Sequence, residues 1–155
     1  MRRWLGLLLF VLLVSTPTLA LAVGSCVLTS KELVAVQGQT QRIYITLTCT
    51  GDAGGIAAYT FTPATQGVRG WYLYNVTTNP GTNPPTAAYD IALLTDGEDI
   101  AGSLLFNRSA TATESVVIAP TTKGYHMTDK AIAITFTNET DNPADIVLTL
   151  RFTSN

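Results

Sequence analysis

Alternation of polar and apolar residues constrains the fold of this chain more than any other feature of its sequence. Within residues 42–49, every second position is apolar, namely Ile43, Ile45, Leu47 and Cys49. Residues 131–137 and 145–152 repeat this spacing. Because successive side chains of a strand point to opposite faces, each segment is predicted to be a half-buried β-strand. Residues 138–144 read as the hairpin loop between the last two strands.

Weaker strand patterns occupy much of the remaining chain, at residues 56–62, 71–77, 89–94, 103–106 and 114–118. Glycine, proline and asparagine separate them, as turns require. No amphipathic helical pattern occurs after the first 22 residues. Eight or nine short strands predict an all-β fold, specifically an antiparallel β-sandwich of jelly-roll or immunoglobulin-like type, with a small barrel as the alternative. Without a visible linker or repeat, we expect one domain over residues 23–155.

The first 22 residues have the three parts of a secretory signal peptide. A basic start with Arg2 and Arg3 precedes the apolar residues 5–14, and a polar segment ends in Ala20-Leu21-Ala22. An apolar run of this length is shorter than the roughly 20 residues that span a bilayer. We therefore expect cleavage after Ala22, no membrane span afterwards, and a secreted, extracellular or periplasmic location. The competing interpretation is a bacterial lipobox ending in a lipidated Cys26.

The two cysteines, Cys26 and Cys49, are expected to pair in an exported chain. If residues 26–36 and 40–49 form a hairpin around residues 37–39, the cysteines lie nearly opposite each other. The disulfide would then hold the open end of the first hairpin together. Redox chemistry is not expected, because the chain has no C-x-x-C motif.

Charge excludes one class of partner. Removal of Arg2 and Arg3 leaves seven Lys and Arg against 11 Asp and Glu, so the mature chain is acidic. Proteins that bind nucleic acid present a basic surface to the phosphates. We therefore expect no nucleic-acid partner.

Three prolines interrupt the strand pattern in the middle of the chain. Pro80, Pro84 and Pro85 lack amide donors and have a fixed φ, which makes residues 78–86 a stiff connection rather than a central strand. Such a connection can cross between two sheets or form an exposed contact surface. The crossing is the preferred interpretation.

A resemblance to a known group rests on this same region. The sequence WYLYNVTTNPGTNPPTAAYDI at residues 71–91, LTDGEDI at 94–100 and FNRS at 106–109 resemble small, β-rich proteins encoded in bacteriophage and prophage genomes. Members of that group have a V-T-T-x-P-G-x-x-x-P-T-x-x-Y-D-I-x-L-x-D segment followed by a turn that contains A-N-R. The resemblance implies a virion-associated or surface-structural subunit and brings no catalytic residue with it. The signal peptide, the two cysteines and Phe106 depart from the group's pattern.

Few residues suggest chemistry. His126 is the only histidine, so it cannot build a multi-histidine metal site, and we expect a loop histidine without a catalytic role. Asp96, Glu98 and Asp99 flank a glycine and form a weak calcium candidate. Because Asp-Gly is also a hairpin-turn signal, the turn is the preferred interpretation. We expect no enzyme activity and no cofactor.

Aromatic residues next to the prolines give the best candidate for binding. If Trp71 fills the core, Tyr72 and Tyr74 lie on the outer face of the same strand. Together with Pro84 and Pro85, these three aromatic residues could form a contact patch for a glycan or a neighbouring subunit.

Two hypotheses for function therefore remain. The first is a non-enzymatic secreted structural or adhesive subunit of an extracellular surface or a virion-associated assembly, in which residues 145–153 are a candidate for edge pairing. The alternative is a monomeric module that binds carbohydrate or another surface ligand. An exported hydrolase is a third, weaker hypothesis.

Overall fold

The computed structural model describes residues 24–35, 40–52, 55–85, 87–118, 124–137 and 144–154. Within these ranges the chain forms an antiparallel β-sandwich without helices, which confirms the predicted fold class. The strands are β1 (Ser25–Val34), β2 (Arg42–Thr50), β3 (Tyr59–Phe61), β4 (Tyr72–Pro80), β5 (Asp90–Thr95), β6 (Glu98–Asp99), β7 (Glu114–Val117), β8 (Tyr125–His126), β9 (Ile132–Thr137) and β10 (Asp145–Thr153). The signal peptide expected at residues 1–22 and the turn expected at 37–39 lie outside the described residues.

Two sheets enclose the core. The larger has the order β1-β2-β10-β4-β7, with β8 also paired to β4, and the smaller has the order β3-β9-β5-β6. The apolar positions of the alternating segments all point inward, and Ile45, Leu47 and Leu148 are fully buried. Between the sheets, the rings of Phe61 and Phe152 stack with their centroids 5.8 Å apart. The period-two pattern thus predicts the inward face of β2, β9 and β10 correctly.

The two C-terminal strands do not form the predicted hairpin. β9 pairs with β3 and β5 in the smaller sheet, whereas β10 pairs with β2 and β4 in the larger sheet. The connection therefore steps from one sheet to the other. It also follows that β10 is a central strand, so residues 145–153 are not available for edge pairing as predicted.

Other boundaries differ from the sequence prediction. The strand expected at residues 103–106 is absent, because residues 101–105 form turns in which Ser103 has a positive φ of 63°. Conversely, the short strands β6 and β8 were not predicted. His126 lies in β8 and not in a loop, as a partner of Tyr72 in β4.

The proline-rich segment makes the predicted crossing between sheets. It leaves β4 of the larger sheet at Pro80 and enters β5 of the smaller sheet at Asp90. At its start the Gly81 amide donates to the carbonyl oxygen of Asp145 at 2.8 Å, and a side chain at Gly81 would place its Cβ 2.5 Å from the Asp145 Cβ. Only glycine permits so close an approach, which explains why Pro80 is followed by this residue.

Candidate functional site

The predicted disulfide is present and fixes the first strand to the sheet. Cys26 and Cys49 are bonded and are direct partners in the antiparallel pairing of β1 with β2. Since the Sγ atom of Cys26 is bonded to Cys49, the same atom does not carry a lipid in this structure. A β-bulge at Thr29 interrupts the register between Leu28 and Ser30.

Strand β1 is an exposed edge of the larger sheet. Its neighbour is β2, and in the described part of the chain no other strand pairs with it apart from an isolated bridge of Gly24 to Ile56. Val27, Leu28 and Leu33 expose 55%, 40% and 58% of their surface, although β2 beside them is half-buried. The smaller sheet therefore does not cover β1, and apolar side chains on both of its faces meet solvent.

The acidic turn is a hairpin turn in which two of the three carboxylates, those of Asp96 and Asp99, have protein partners. Asp96 and Gly97 join β5 to β6 with positive φ angles of 50° and 84°. The Asp99 carboxylate accepts hydrogen bonds from the backbone amides of Leu93, Ala101 and Ser103 at 3.2, 3.0 and 2.8 Å, and the Asp96 carboxylate accepts one from the Lys130 ammonium. Among the described residues, no three His, Cys, Asp or Glu side chains are grouped so that they could hold a metal ion.

Residues of the segments 71–91 and 106–109 hold each other in place. Tyr89 and Arg108 form an isolated antiparallel bridge, in which their backbone amides donate to each other's carbonyl oxygens at 3.2 and 2.7 Å. The Asp90 carboxylate accepts a hydrogen bond from the Asn107 amide at 2.6 Å, and Asn107 has a positive φ of 55°. The Y-D and N-R parts of the motif therefore contact each other, and each stabilises the conformation of the other.

The structure does not bring the predicted contact patch together. Trp71, Tyr72 and Tyr74 lie at the start of β4, and Trp71 packs against the core. Pro84 and Pro85 follow the other end of this strand, about 26 Å away at the rise of an extended chain. Pro85 is also buried. The neighbours of Tyr72 and Tyr74 therefore lie on adjacent strands and not in the proline-rich segment.

Those neighbours form a cluster on the outer face of the larger sheet. In one row across four strands, Arg42 pairs with Thr153, Thr153 with Tyr72, and Tyr72 with His126. In the next row, Tyr44 pairs with Arg151, and Arg151 with Asn75. Tyr74 is the extra residue of a bulge between these two rows. We call these side chains the outer-face cluster: Arg42, Tyr44, Tyr72, Tyr74, His126 and Arg151.

Aromatic rings orient both guanidinium groups of the cluster. The Cζ atom of Arg151 lies 5.6 Å from the centroid of the Tyr44 ring, and that of Arg42 lies 6.0 Å from the centroid of the Tyr74 ring. At the other end, the Tyr72 and His126 rings contact each other with centroids 5.0 Å apart. Burial, together with a hydrogen bond to Tyr44, raises the pKa of the Tyr74 phenol, which therefore stays protonated at neutral pH. The cluster offers cations and neutral hydrogen-bond donors on one surface.

A row of hydroxyl groups lies next to the cluster on the same face. Thr46, Thr149, Thr77 and Ser115 are successive partners on β2, β10, β4 and β7. The hydroxyls of Thr46 and Thr149 are 3.3 Å apart, and those of Thr77 and Ser115 are 2.7 Å apart. Cross-strand hydroxyl pairs of this kind stabilise a sheet, and they make this part of its surface polar.

Sequence reasoning missed the cluster as a whole. Alternation places Arg42, Tyr44 and Arg151 on outward faces of their strands, and this signal is present in the sequence. What the sequence does not contain is the register that inserts β10 between β2 and β4. Without that order, the two arginines and the tyrosines of β4 cannot be recognised as neighbours.

Comparison of the chain with protein-family models, with curated proteins and with solved structures finds no match. In the described residues, no helix is long and apolar enough to cross a membrane.

Proposed function

We propose that this chain is a non-enzymatic, secreted structural subunit of an extracellular surface or virion-associated assembly, and that it associates with a second copy of itself through β1. The observation that carries the proposal is the long edge formed by β1. It has ten residues, whereas the other edge strands β7, β8, β3 and β6 have four, two, three and two. Short edge strands protect sheets from pairing with other chains, and β1 lacks this protection.

The side chains of β1 match themselves in one antiparallel register. Leu28 and Leu33 share the inward face, because their partners on β2 are the buried residues Leu47 and Ile43. Val27 and Val34 share the outward face, opposite Thr48 and Arg42. If a two-fold axis passes through Lys31 and Thr29 is left out of the count as the bulge residue, Leu28 of one copy faces Leu33 of the other on the inward side. The same register places Val27 opposite Val34 on the outward side.

Lys31 would meet its own copy at the two-fold axis, where like charges repel. Its ammonium, however, donates to the carbonyl oxygen of Gln66 at 2.6 Å, which draws the charge toward its own subunit. The larger sheets of two copies then form one continuous sheet across the axis, which is the geometry of an isologous dimer. Such a dimer is the building block of the proposed assembly.

Size-exclusion chromatography with light scattering tests the proposal on the mature chain. We expect a dimer or larger species for the unmodified protein, and a monomer for Leu33→Lys and for Val27→Lys, because each places an ammonium group in the apolar contact. Val117→Lys is the matched control, since Val117 is an equally apolar residue on β7 that exposes 63% of its surface. A monomer at every concentration, or an oligomer that survives Leu33→Lys, would contradict the proposal.

A further inference from the structure

The outer-face cluster has features that pairing of β1 does not use. In the described ranges, the ion pairs of the structure involve Arg69, Arg108 and Lys130, and neither Arg42 nor Arg151 belongs to them. The Nε atom of Arg151 is buried and has no hydrogen-bond partner. An unpaired buried donor costs free energy, and a ligand reaches this atom only if the Arg151 side chain shifts toward the surface.

Position brings both arginines within reach of one anion. Arg151 is the direct partner of Tyr44, and Arg42 is two residues from Tyr44 on the same strand. Diagonal neighbours of this kind have Cα atoms about 7–8 Å apart, so two long side chains can converge on a single group. Within this half of the face, Glu32 on β1 is the nearest carboxylate by register. Tyr44 separates it from Arg151, and although it is a diagonal neighbour of Arg42, the two form no ion pair in the described residues. On a chain with a net charge of −2, this is a local positive surface.

We infer that the outer-face cluster binds a carboxylate-bearing saccharide. Guanidinium groups recognise carboxylates with paired, charge-assisted hydrogen bonds. Tyr72 and His126 lie at the far end of the row that starts at Arg42, about 10 and 14 Å away across two and three strand spacings, and their rings offer faces for the C–H groups of a sugar. The Thr153 hydroxyl lies between Arg42 and Tyr72 in the register and can bind sugar hydroxyls.

An open sheet face favours an extended ligand over a small buried one. The row from Arg42 to His126 has the length of a short oligosaccharide, with the acid group at the arginine end and ring contacts at the other. The phenol of Tyr74 stays neutral and therefore does not repel the negative charge of the ligand. This inference does not depend on dimer formation, since the cluster and the free edge of β1 use different side chains.

Calorimetric titration with a trimer of galacturonic acid tests the inference, with the matching neutral trimer of galactose as the reference ligand. We expect the acidic trimer to bind, and we expect Arg42→Gln and Arg151→Gln each to weaken binding about tenfold. Arg42 is exposed, so its replacement leaves the fold intact even if Arg151→Gln does not. Arg69→Gln is the control for charge, because it removes an equal charge from an exposed arginine paired with Asp129.

The inference is overturned if the acidic trimer does not bind, or if the neutral trimer binds as tightly as the acidic one. It is also overturned if Arg69→Gln weakens binding as much as Arg42→Gln does. Competition by inorganic sulfate that is as strong as competition by galacturonic acid itself would also overturn it, because the site would then recognise charge and not a saccharide. Leu33→Lys distinguishes the two proposals, since it removes dimer formation and leaves binding of the trimer unchanged.

Discussion

Replacement of Asp99 by alanine is expected to cost more stability than any other change in the acidic turn. Its carboxylate accepts hydrogen bonds from the amides of Leu93 and Ala101, which are partly buried, and of Ser103, which is exposed. Hydrogen bonds to a charged group contribute about 1.5–3 kcal/mol each when water cannot replace them. With about 1.5 kcal/mol for each of the two sheltered amides and little for the third, the expected loss is about 3 kcal/mol.

This loss of stability is measurable as a decrease in the melting temperature. A domain of this size loses about 2–4 °C per kcal/mol, which gives a decrease of about 6–12 °C for Asp99→Ala. Asp99→Asn keeps one acceptor oxygen, so its melting temperature should lie between those of Asp99→Ala and the unmodified protein. Glu98→Ala is the matched control, because Glu98 is the neighbouring carboxylate, is exposed, and should shift the melting temperature by less than about 1–2 °C.

Thermal unfolding followed by circular dichroism, with and without added calcium, separates this account from an ion site. We expect the same melting temperatures at every calcium concentration, because the Asp99 oxygens already accept backbone hydrogen bonds. Equal shifts for Asp99→Ala and Glu98→Ala would refute the role assigned to Asp99. A large calcium-dependent stabilisation that Asp99→Ala removes would restore the calcium hypothesis.

Three further predictions concern the disulfide, a buried phenol and a close backbone approach. The double change Cys26→Ser, Cys49→Ser removes a cross-link over a separation of 23 residues, which should cost about 3 kcal/mol and expose the amides of β1 to hydrogen exchange before those of β10. Burial raises the pKa of Tyr89, so this phenol ionises in the unfolded chain first, and its contribution to the free energy of unfolding should be complete below pH 10 and lost as the pH rises through the folded pKa. In urea unfolding from pH 8 to 11, the free energy of unfolding should therefore decrease less for Tyr89→Phe than for the unmodified protein. The same pH dependence for both proteins would contradict this. Gly81→Ala should destabilise by about 1–3 kcal/mol in urea, because its Cβ would overlap Asp145, whereas Gly70→Ala, whose Cβ would meet no atom within 4 Å, should cost only about 1 kcal/mol of backbone strain.

Local patterns of the sequence predict the faces of the strands, but they do not predict the pairing of distant strands. Alternation alone identifies Ile43 and Leu148 as inward residues, and the geometry of one hairpin pairs Cys26 with Cys49 correctly. Both inferences need only neighbouring residues and the two-residue period of a strand. The prediction of a hairpin between β9 and β10 is wrong because local information does not decide this pairing. A seven-residue connection can either reverse within a sheet or step to the opposite sheet.

The site shows the same division between local and distant information. The Asp-Gly turn at residues 96 and 97 follows from local chemistry, because the positive φ of both positions is what this dipeptide tolerates. The function of Asp99 does not follow, since two of its donors are the amides of Ala101 and Ser103 in a turn, and the sequence predicts a strand at residues 103–106 instead. The outer-face cluster depends on four strands that are far apart in the sequence, and it becomes visible only in the structure.

The central place of β10 determines when this protein can fold. The strand lies between β2 and β4, and its contact between Thr149 and Thr46 spans 103 residues. During synthesis the larger sheet therefore stays incomplete until residues 145–153 have been made, and contacts of such long range also fold slowly. For a secreted chain as proposed above, which would have to cross its channel unfolded, this topology would delay folding until late in synthesis. A product that stops before β10 would expose the unpaired sides of two strands, and we expect it to aggregate or be degraded rather than accumulate.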